Sequence, residues 1–433
     1  MARPMSTQPR PLTPYERLGD WIDNHLDESI AFLRELVRIP TDTPPGDNAR
    51  HAARTAELLT RMGFVVERHP VPAADAAASG LASIVNLVVR RRFGDGPVIA
   101  LNVHGDAVPP GAGWTHPPYA GDIADGRMYG RGVAVSKSDF ATYVYALRAL
   151  AALGTLRRGT LELHVTYDEE FGGSVGPQWL LARGIVDPDY AICPGFSYAI
   201  GVAHNGSVQL EVIVHGRAAH AALPATGVDA LRAAHALMDA LYAHAGELAS
   251  VRSSVTGIAS PTLVIGKIDG GINTNVVPDR VRLALDRRVI PEERADDVEY
   301  ALRALLERVA ATLPGITLEV RRLLRAWPLA PLPGHEAMVD ALSRHASAIV
   351  GEPVAATGTP LYTDARLYGE HDVPTVLYGA GPRSLLESNA KRADENLVLD
   401  DLRKATKVVA CALHDLLANA PPRARAVRPQ AIP

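Results

Sequence analysis

A chain of 433 residues is too long for one hydrophobic core and implies two domains. Its 47% hydrophobic and 21% charged residues are ordinary for a water-soluble globular protein. The 44 basic and 48 acidic residues are spread without blocks, leaving a net charge of -4 that excludes an evident nucleic-acid surface, and two cysteines, Cys193 and Cys411, exclude a disulfide framework and fit a reducing compartment.

The N-terminal MARPMSTQPRPLTP is polar and lacks the apolar core of a signal peptide. Residues 1–14 therefore read as a disordered tail, as does PPRARAVRPQAIP over 421–433. No window reaches the roughly 18 apolar residues of a membrane span, so a cytoplasmic protein with no membrane partner is expected. From Tyr15 to about Met62 the apolar spacing is helical. One helix is expected in LGDWIDNHLDESIAFLRELVRI and a second in ARHAARTAELLTRM, with PTDTPPGDN between them. Strand-like runs follow in FVVERHP, SIVNLVVRR and PVIALNVHG, then a helix over about Asp139 to Leu153, then the strand LRRGTLELHVTYDEE. Strands alternating with helices predict an α/β sheet covered on both faces, with functional groups at the carboxyl ends of its strands.

Near His204 the pattern changes. SVQLEVIVHGRAAH, GVDALRAAHALMDALYAHAGEL, PTLVIGKIDG, VPDRVRLALDRRVI, ADDVEYALRALLERVAATL and ITLEVRRLL give the order β-α-β-β-α-β of a ferredoxin-like unit. This α+β unit, about 204–325, interrupts an α/β domain made of 15–203 and 326–420.

Three stretches carry the chemistry. In VHGDAVP, His104 ends a strand and Asp106 lies on the same face. A carboxylate beside an imidazole fixes the tautomer of a metal-ligating His, although the pair equally describes a simple His–Asp hydrogen bond. In YDEEFGG three acids, Asp168, Glu169 and Glu170, end an apolar strand; a cation or a bound proton must offset their repulsion. Such acids can divide metal ligation from proton transfer, or form a solvated turn. The third stretch, GRGVAVSKSD, has no acid between its glycines and Asp139 and carries Val135 in between.

Taken in order, VHGDAVPPGAGW, DGRMYGRGVAVSK, TYDEEFGGS, VHGRAAHAALP, GGINTNVVPDRVRLALDRR and TDAR resemble the dinuclear zinc peptidase family of aminoacylase, acetylornithine deacetylase, succinyl-diaminopimelate desuccinylase and glutamate carboxypeptidase, over about residues 15–420. The resemblance implies a zinc-binding α/β domain, an inserted lid that dimerises, and hydrolysis of amide bonds next to a carboxylate. It implies a metal-ligating His at His104 with Asp106 in support, a general base at Glu169 and a ligand at Glu170. The bridging carboxylate falls on Val135, the next carboxylate on Cys193 of AICPGF, and the last His on Lys391 of SNAKRADEN, where Asp394 and Glu395 keep the frame. Three of five ligands thus depart from the family. Valine cannot coordinate and a protonated lysine repels a metal, whereas a cysteine thiolate can ligate zinc. His104, Glu170 and Cys193 could hold one zinc; two are not expected. Asp139 lies four residues past Val135 in the first turn of a helix, where Asp is expected on other grounds. Lys137 is common in the family at its position.

The resemblance also assigns substrate contacts to His220, Asn275, Arg288 and Arg366, the last as a clamp for a carboxylate. Each has a plainer reading as a loop, turn or solvated residue. His116, His204 and His215 read as structural, Trp114 and Trp179 as core or pocket wall, and Cys411 as a buried helix residue. Three functions stay open: an enzyme working without the dinuclear site, hydrolysing or transferring an acyl group of an acyl-amino-acid or dipeptide-like substrate; a zinc amidohydrolase with relocated ligands; and a non-catalytic binding protein. A homodimer through the lid is the family's implication.

Overall fold

The computed structural model describes residues 10–423; the expected tails lie for the most part outside that range. Two compact units are present. Within the described residues the first takes the chain up to Ile200, Pro333–Ala356 and the chain from His371, and the second takes Gly201–Leu332 with Thr357–Glu370. At the C-terminal limit Arg423 is tied down, its backbone N–H donating to Asp189 and its Nη1 to the His371 carbonyl.

The first unit opens on the helix Pro14–Asn24. Thr13 caps it in a reciprocal box, its Oγ1 accepting from Glu16 N while Glu16 Oε2 accepts from Thr13 N, and Pro14 fills the first turn. The expected long first helix is two helices, because His25 leaves helical geometry at φ -117° and a second helix, Leu26–Val37, starts after it. The His25 ring stacks on Trp21 at 3.8 Å and its Nδ1 lies 2.7 Å from the Trp21 carbonyl, so the break is fixed by local contacts that apolar spacing does not register.

Six strands of this unit lie side by side in the order Val66–Pro70, Val85–Arg92, Thr160–Thr166, Val98–His104, Tyr190–Cys193 and Thr375–Leu377. The first three pair antiparallel and the last four run parallel. Val98–His104 and Thr160–Thr166 are buried almost end to end, which is why their sequences read as apolar runs rather than alternations. The helix Ser138–Leu153 is buried nearly all round, packed against Leu399–Asn419, Pro14–Asn24 and Leu26–Val37. A separate three-stranded sheet joins Asp122–Ala124, Arg127–Tyr129 and Asn396–Val398. It was not legible in the sequence, and it brings the chain around residue 391 beside the GRG loop.

In the second unit Gly206–His215, Thr262–Gly270, Arg280–Val289 and Thr317–Ala326 form an antiparallel sheet. The helices Ala230–Leu248 and Ala295–Ala310 connect its strands, the first capped by Asp229. Val208, Leu210, Val212, Leu283 and Leu285 pack on Leu237, Leu241, Leu302 and Leu306 as one core. Each such side chain contributes about 1.5–3 kcal/mol on burial. The result is the ferredoxin-like α+β insertion in an α/β domain. No helix among the described residues is long and apolar enough to cross a membrane.

Candidate active site

Parallel register sets the first unit's strand ends along one edge. His104 pairs with Thr166, so His104 and the acids that follow Thr166 emerge together. The sequence places functional groups at such ends, and the geometry does bring His104, Asp106, Glu169, Glu170 and Lys391 into one cluster. His104 is 3% exposed and Asp106 fully buried. His104 Nδ1 lies 3.4 Å from Asp106 Oδ1 and 3.2 Å from its carbonyl, while Nε2 lies 4.0 Å from Glu169 Oε2. Asp106 Oδ2 accepts from the Glu170 backbone N–H at 3.0 Å, which fixes the acidic turn against the His104 strand end. Asp168 turns the other way, Oδ2 accepting from Val175 N and Gly176 N.

The electrostatics follow from this packing. Burial pushes the Glu169 carboxyl up to about 7, with Glu170 and Asp106 adding to the rise and His104 and Lys391 opposing it. Burial opposes a charge on His104, but Glu169, Asp106 and Glu170 outweigh it and hold the imidazole up to about 10. This packing favours the cationic form of His104 and the protonated form of Glu169.

Lys391 joins this cluster through Glu170. Its Nζ donates to Glu170 Oε2 at 2.7 Å. The lysine backbone is left-handed at φ 62°, as are Asn389 at 50° and Asp394 at 54°. For a residue with a Cβ that conformation costs about 1–2 kcal/mol, so the loop is held by contacts rather than by preference.

Val135 stays a hydrocarbon, its loop anchored by Ser136, whose Oγ lies within 3.3 Å of both the N and O of His104. Cys193 ends its strand one residue past Ile192, which pairs with Leu101, and its carbonyl accepts from Tyr378 N. Asp139 is buried and Oδ1 accepts from Ala380 N at 2.8 Å; Gly379 packs so closely there that any side chain would collide with that oxygen. Burial pushes the Asp139 carboxyl up to about 7. Among the described residues no three His, Cys, Asp or Glu side chains are grouped to hold a metal ion, and the carboxylate offered by Glu170 is already paired with an ammonium. Val135 offers no donor atom, so the position where the family frame expects a bridging carboxylate holds none.

Sequence reading missed the support behind the cluster. Arg131 and Glu395 form a buried pair at 2.5 Å, each side chain 2% exposed. Lys137 is fully buried, Nζ 3.4 Å from the Ile39 carbonyl, and burial pulls its ammonium down to about 8. The only available signal was charged residues embedded among small ones in GRG and SNAKRADEN.

In the second unit the ribbon Ala219–His220 pairs with Val276–Val277, and Ala221 N donates to the Asn275 carbonyl. His220 and Asn275 are thus neighbours, both exposed. Arg288 sits toward the other end of the strand Arg280–Val289, paired with Asp286 and stacked over Tyr362. Arg366 is 5% exposed and bonded to Glu370 at 2.9 Å. Of the plainer readings, His116 stacks on Tyr129, Trp114 donates to the Pro110 carbonyl, His204 and Cys411 are buried, and His215 lies near Glu319.

The model of peptidase family M20/M25/M40 matches residues 100–415, and the chain belongs to that family. It is an enzyme of the hydrolase class that this family defines. It is 28% identical over 393 residues to a succinyl-diaminopimelate desuccinylase of Methylorubrum populi, covering 88% of this chain and 96% of the relative. In fold it is similar to human carnosine dipeptidase 1, with a TM-score of 0.72 at 19% identity over 95% of this chain and 100% of that one. It is also similar to an M20 family metallo-carboxypeptidase from Sulfolobus solfataricus, with a TM-score of 0.75 at 16% identity over 90% and 100%.

Proposed function

We propose that the chain acts on the amide bond of a small acyl-amino-acid or dipeptide-like substrate without a dinuclear zinc site, with Glu169 as acid and base and Lys391 supplying positive charge. The observation that carries this reading is the 2.7 Å contact between Lys391 Nζ and Glu170 Oε2. An ammonium offsets the acidic turn from within the chain, at a position where the family frame expects a ligand.

In hydrolysis, water attacks the amide carbonyl carbon while Glu169 takes its proton. Lys391 and the His104 imidazolium offset charge on the carbonyl oxygen, and Glu169 returns the proton to the leaving nitrogen as the C–N bond breaks. An amine in place of water gives acyl transfer by the same proton path, and the reverse path is condensation with release of water. Asp106 orients His104. The desuccinylase, dipeptidase and carboxypeptidase named among the similar proteins support an amide of an amino acid as the substrate class.

Arg366 is assigned to the substrate carboxylate and Arg288 to a further substrate contact, their guanidiniums also pairing with Glu370 and Asp286. A homodimer belongs to this reading, with the His220–Asn275 ribbon presented to the site of a second copy. The exposed apolar side chains Val264 and Ile268 on the strand Thr262–Gly270, and Leu231 and Tyr242 on the helix Ala230–Leu248, support such an interface. We place the protein in the cytoplasm.

The test is turnover of chelator-treated protein on a panel of N-succinyl amino acids, N-acetyl amino acids and dipeptides. Loss of roughly 10²-fold or more in both Glu169→Gln and Lys391→Ala is expected. Turnover that requires added zinc would instead indicate a zinc amidohydrolase. No turnover on any member, with binding unchanged in both variants, would indicate a binding protein.

A further inference from the structure

Several contacts of the loop that carries Lys391 converge on one buried side chain. Arg131 is 1% exposed. Its Nη1 donates to Glu395 Oε2 at 2.5 Å, and its Nη2 donates to the carbonyls of Pro110 at 3.0 Å and Arg392 at 3.2 Å. Its guanidinium lies 5.1 Å from the centre of the Trp114 ring. Arg392 is the residue after Lys391. Glu395 Oε1 accepts from Ala134 N at 3.1 Å, the residue before Val135, and the Glu395 carbonyl accepts from Gly130 N. Asp394 adds a third tie, its carboxylate accepting from Thr115 N, Thr115 Oγ1 and His116 N. Three loops, 107–116, 130–136 and 389–395, therefore meet around one guanidinium.

The backbone of the third loop needs such a clamp. Asn389, Lys391 and Asp394 all adopt left-handed φ values without being glycine. Conformations of this kind persist only where the surroundings over-determine them. A planar guanidinium bonds one carboxylate and two carbonyls from two separate nitrogens in a fixed fork, a spread that the single nitrogen of a lysine does not reproduce.

We infer that Arg131 is a positioning residue for Lys391: through Glu395 and the Arg392 carbonyl it holds the loop that presents the Lys391 ammonium to Glu170. The inference rests on the reading that the Lys391–Glu170 pair belongs to the working site.

Lysine occurs at five positions only, Lys137, Lys267, Lys391, Lys404 and Lys407. The NMR spectrum of the full chain, labelled with carbon-13 and nitrogen-15 at lysine side-chain ends, is therefore assignable by single substitutions. The Lys391 signal, identified by its loss in Lys391→Ala, is expected away from the free-lysine position in the unaltered protein, and at that position in Glu170→Gln. Arg131→Lys is expected to move it to the free position while the protein remains folded by circular dichroism. Glu395→Gln keeps the shape of the pair and asks the same question should Arg131→Lys not fold. A Lys391 signal unchanged in the folded variant, with only the unfolding midpoint lowered, overturns the inference and leaves Arg131 a structural residue. A free-lysine signal in the unaltered protein removes the Lys391–Glu170 reading itself, a different failure.

Discussion

Lys391 Nζ and Glu170 Oε2 are 2.7 Å apart, yet the lysine side chain is 55% exposed and the glutamate 7%. The asymmetry matters. Solvent screens the ammonium and limits the pair to about 0–1 kcal/mol of stability, while the carboxylate it covers is largely withdrawn from water. The lysine is thus weakly placed as a structural element and well placed as a charge at the mouth of an acidic cluster.

Lys391→Gly separates the two roles. Loss of the ion pair costs about 0–1 kcal/mol, and relief of the left-handed backbone returns about 1 kcal/mol. Urea denaturation should therefore show a stability within about 1 kcal/mol of the unaltered protein, while turnover falls roughly 10²-fold. A loss of several kcal/mol would mark the lysine as part of the scaffold.

The Arg131–Glu395 pair should behave in the opposite way. Both side chains are 2% exposed, and burial pushes the Glu395 carboxyl upward against the pull of Arg131. Arg131→Met leaves a buried carboxylate without its cation and should cost about 3–5 kcal/mol in chemical denaturation. A cost below about 1 kcal/mol would mean that the pair is not a buried, mutually dependent unit.

How much of this was legible in the sequence can be judged from particular residues. His104, Asp106, Glu169 and Glu170 fall at the ends of apolar strands, and parallel register converts that position into proximity; the α/β class and the ferredoxin-like insertion follow from the same periodicities. The break at His25 was hidden because apolar spacing continues through it. The strands Asp122–Ala124, Arg127–Tyr129 and Asn396–Val398, at three residues each, are too short for a period to emerge. They are nevertheless what sets Lys391 and Glu395 beside the GRG loop. The Arg131–Glu395 pair joins residues 264 apart, a distance that no local pattern spans.

His204 gives a pH prediction. Burial pulls its imidazole down to about 4, with Arg366 adding to the effect. The unfolded chain takes up the proton near pH 6.5 and the folded chain only near 4, so the stabilising contribution is complete above 6.5 and is lost as pH falls through that window. Between pH 7 and pH 5 this amounts to about 2 kcal/mol. The drop in urea midpoint over that range should shrink in His204→Gln, whatever the variant's absolute stability. An undiminished drop would assign the acid lability to other groups.

The proposed dimer predicts complementation. Chains carrying Glu169→Gln and chains carrying His220→Ala should each be inactive alone. Co-expressed, they form mixed dimers in which one site has both Glu169 and the second copy's His220, and activity should recover to about one quarter of the unaltered level. Recovery no greater than the sum of the parents would place His220 in the service of its own chain. Ile268→Asp, on the exposed strand, should give a monomer by light scattering.

The central claim is that a lysine and a histidine, rather than a pair of metal ions, balance the acids of this site. The most direct measurement is metal stoichiometry by mass spectrometry on protein incubated with excess zinc and dialysed, alongside turnover of the same sample before and after chelation. Well under one bound zinc per chain, with turnover unchanged by the chelator, is the expected result; about two zincs per chain, with turnover lost on their removal, would contradict it.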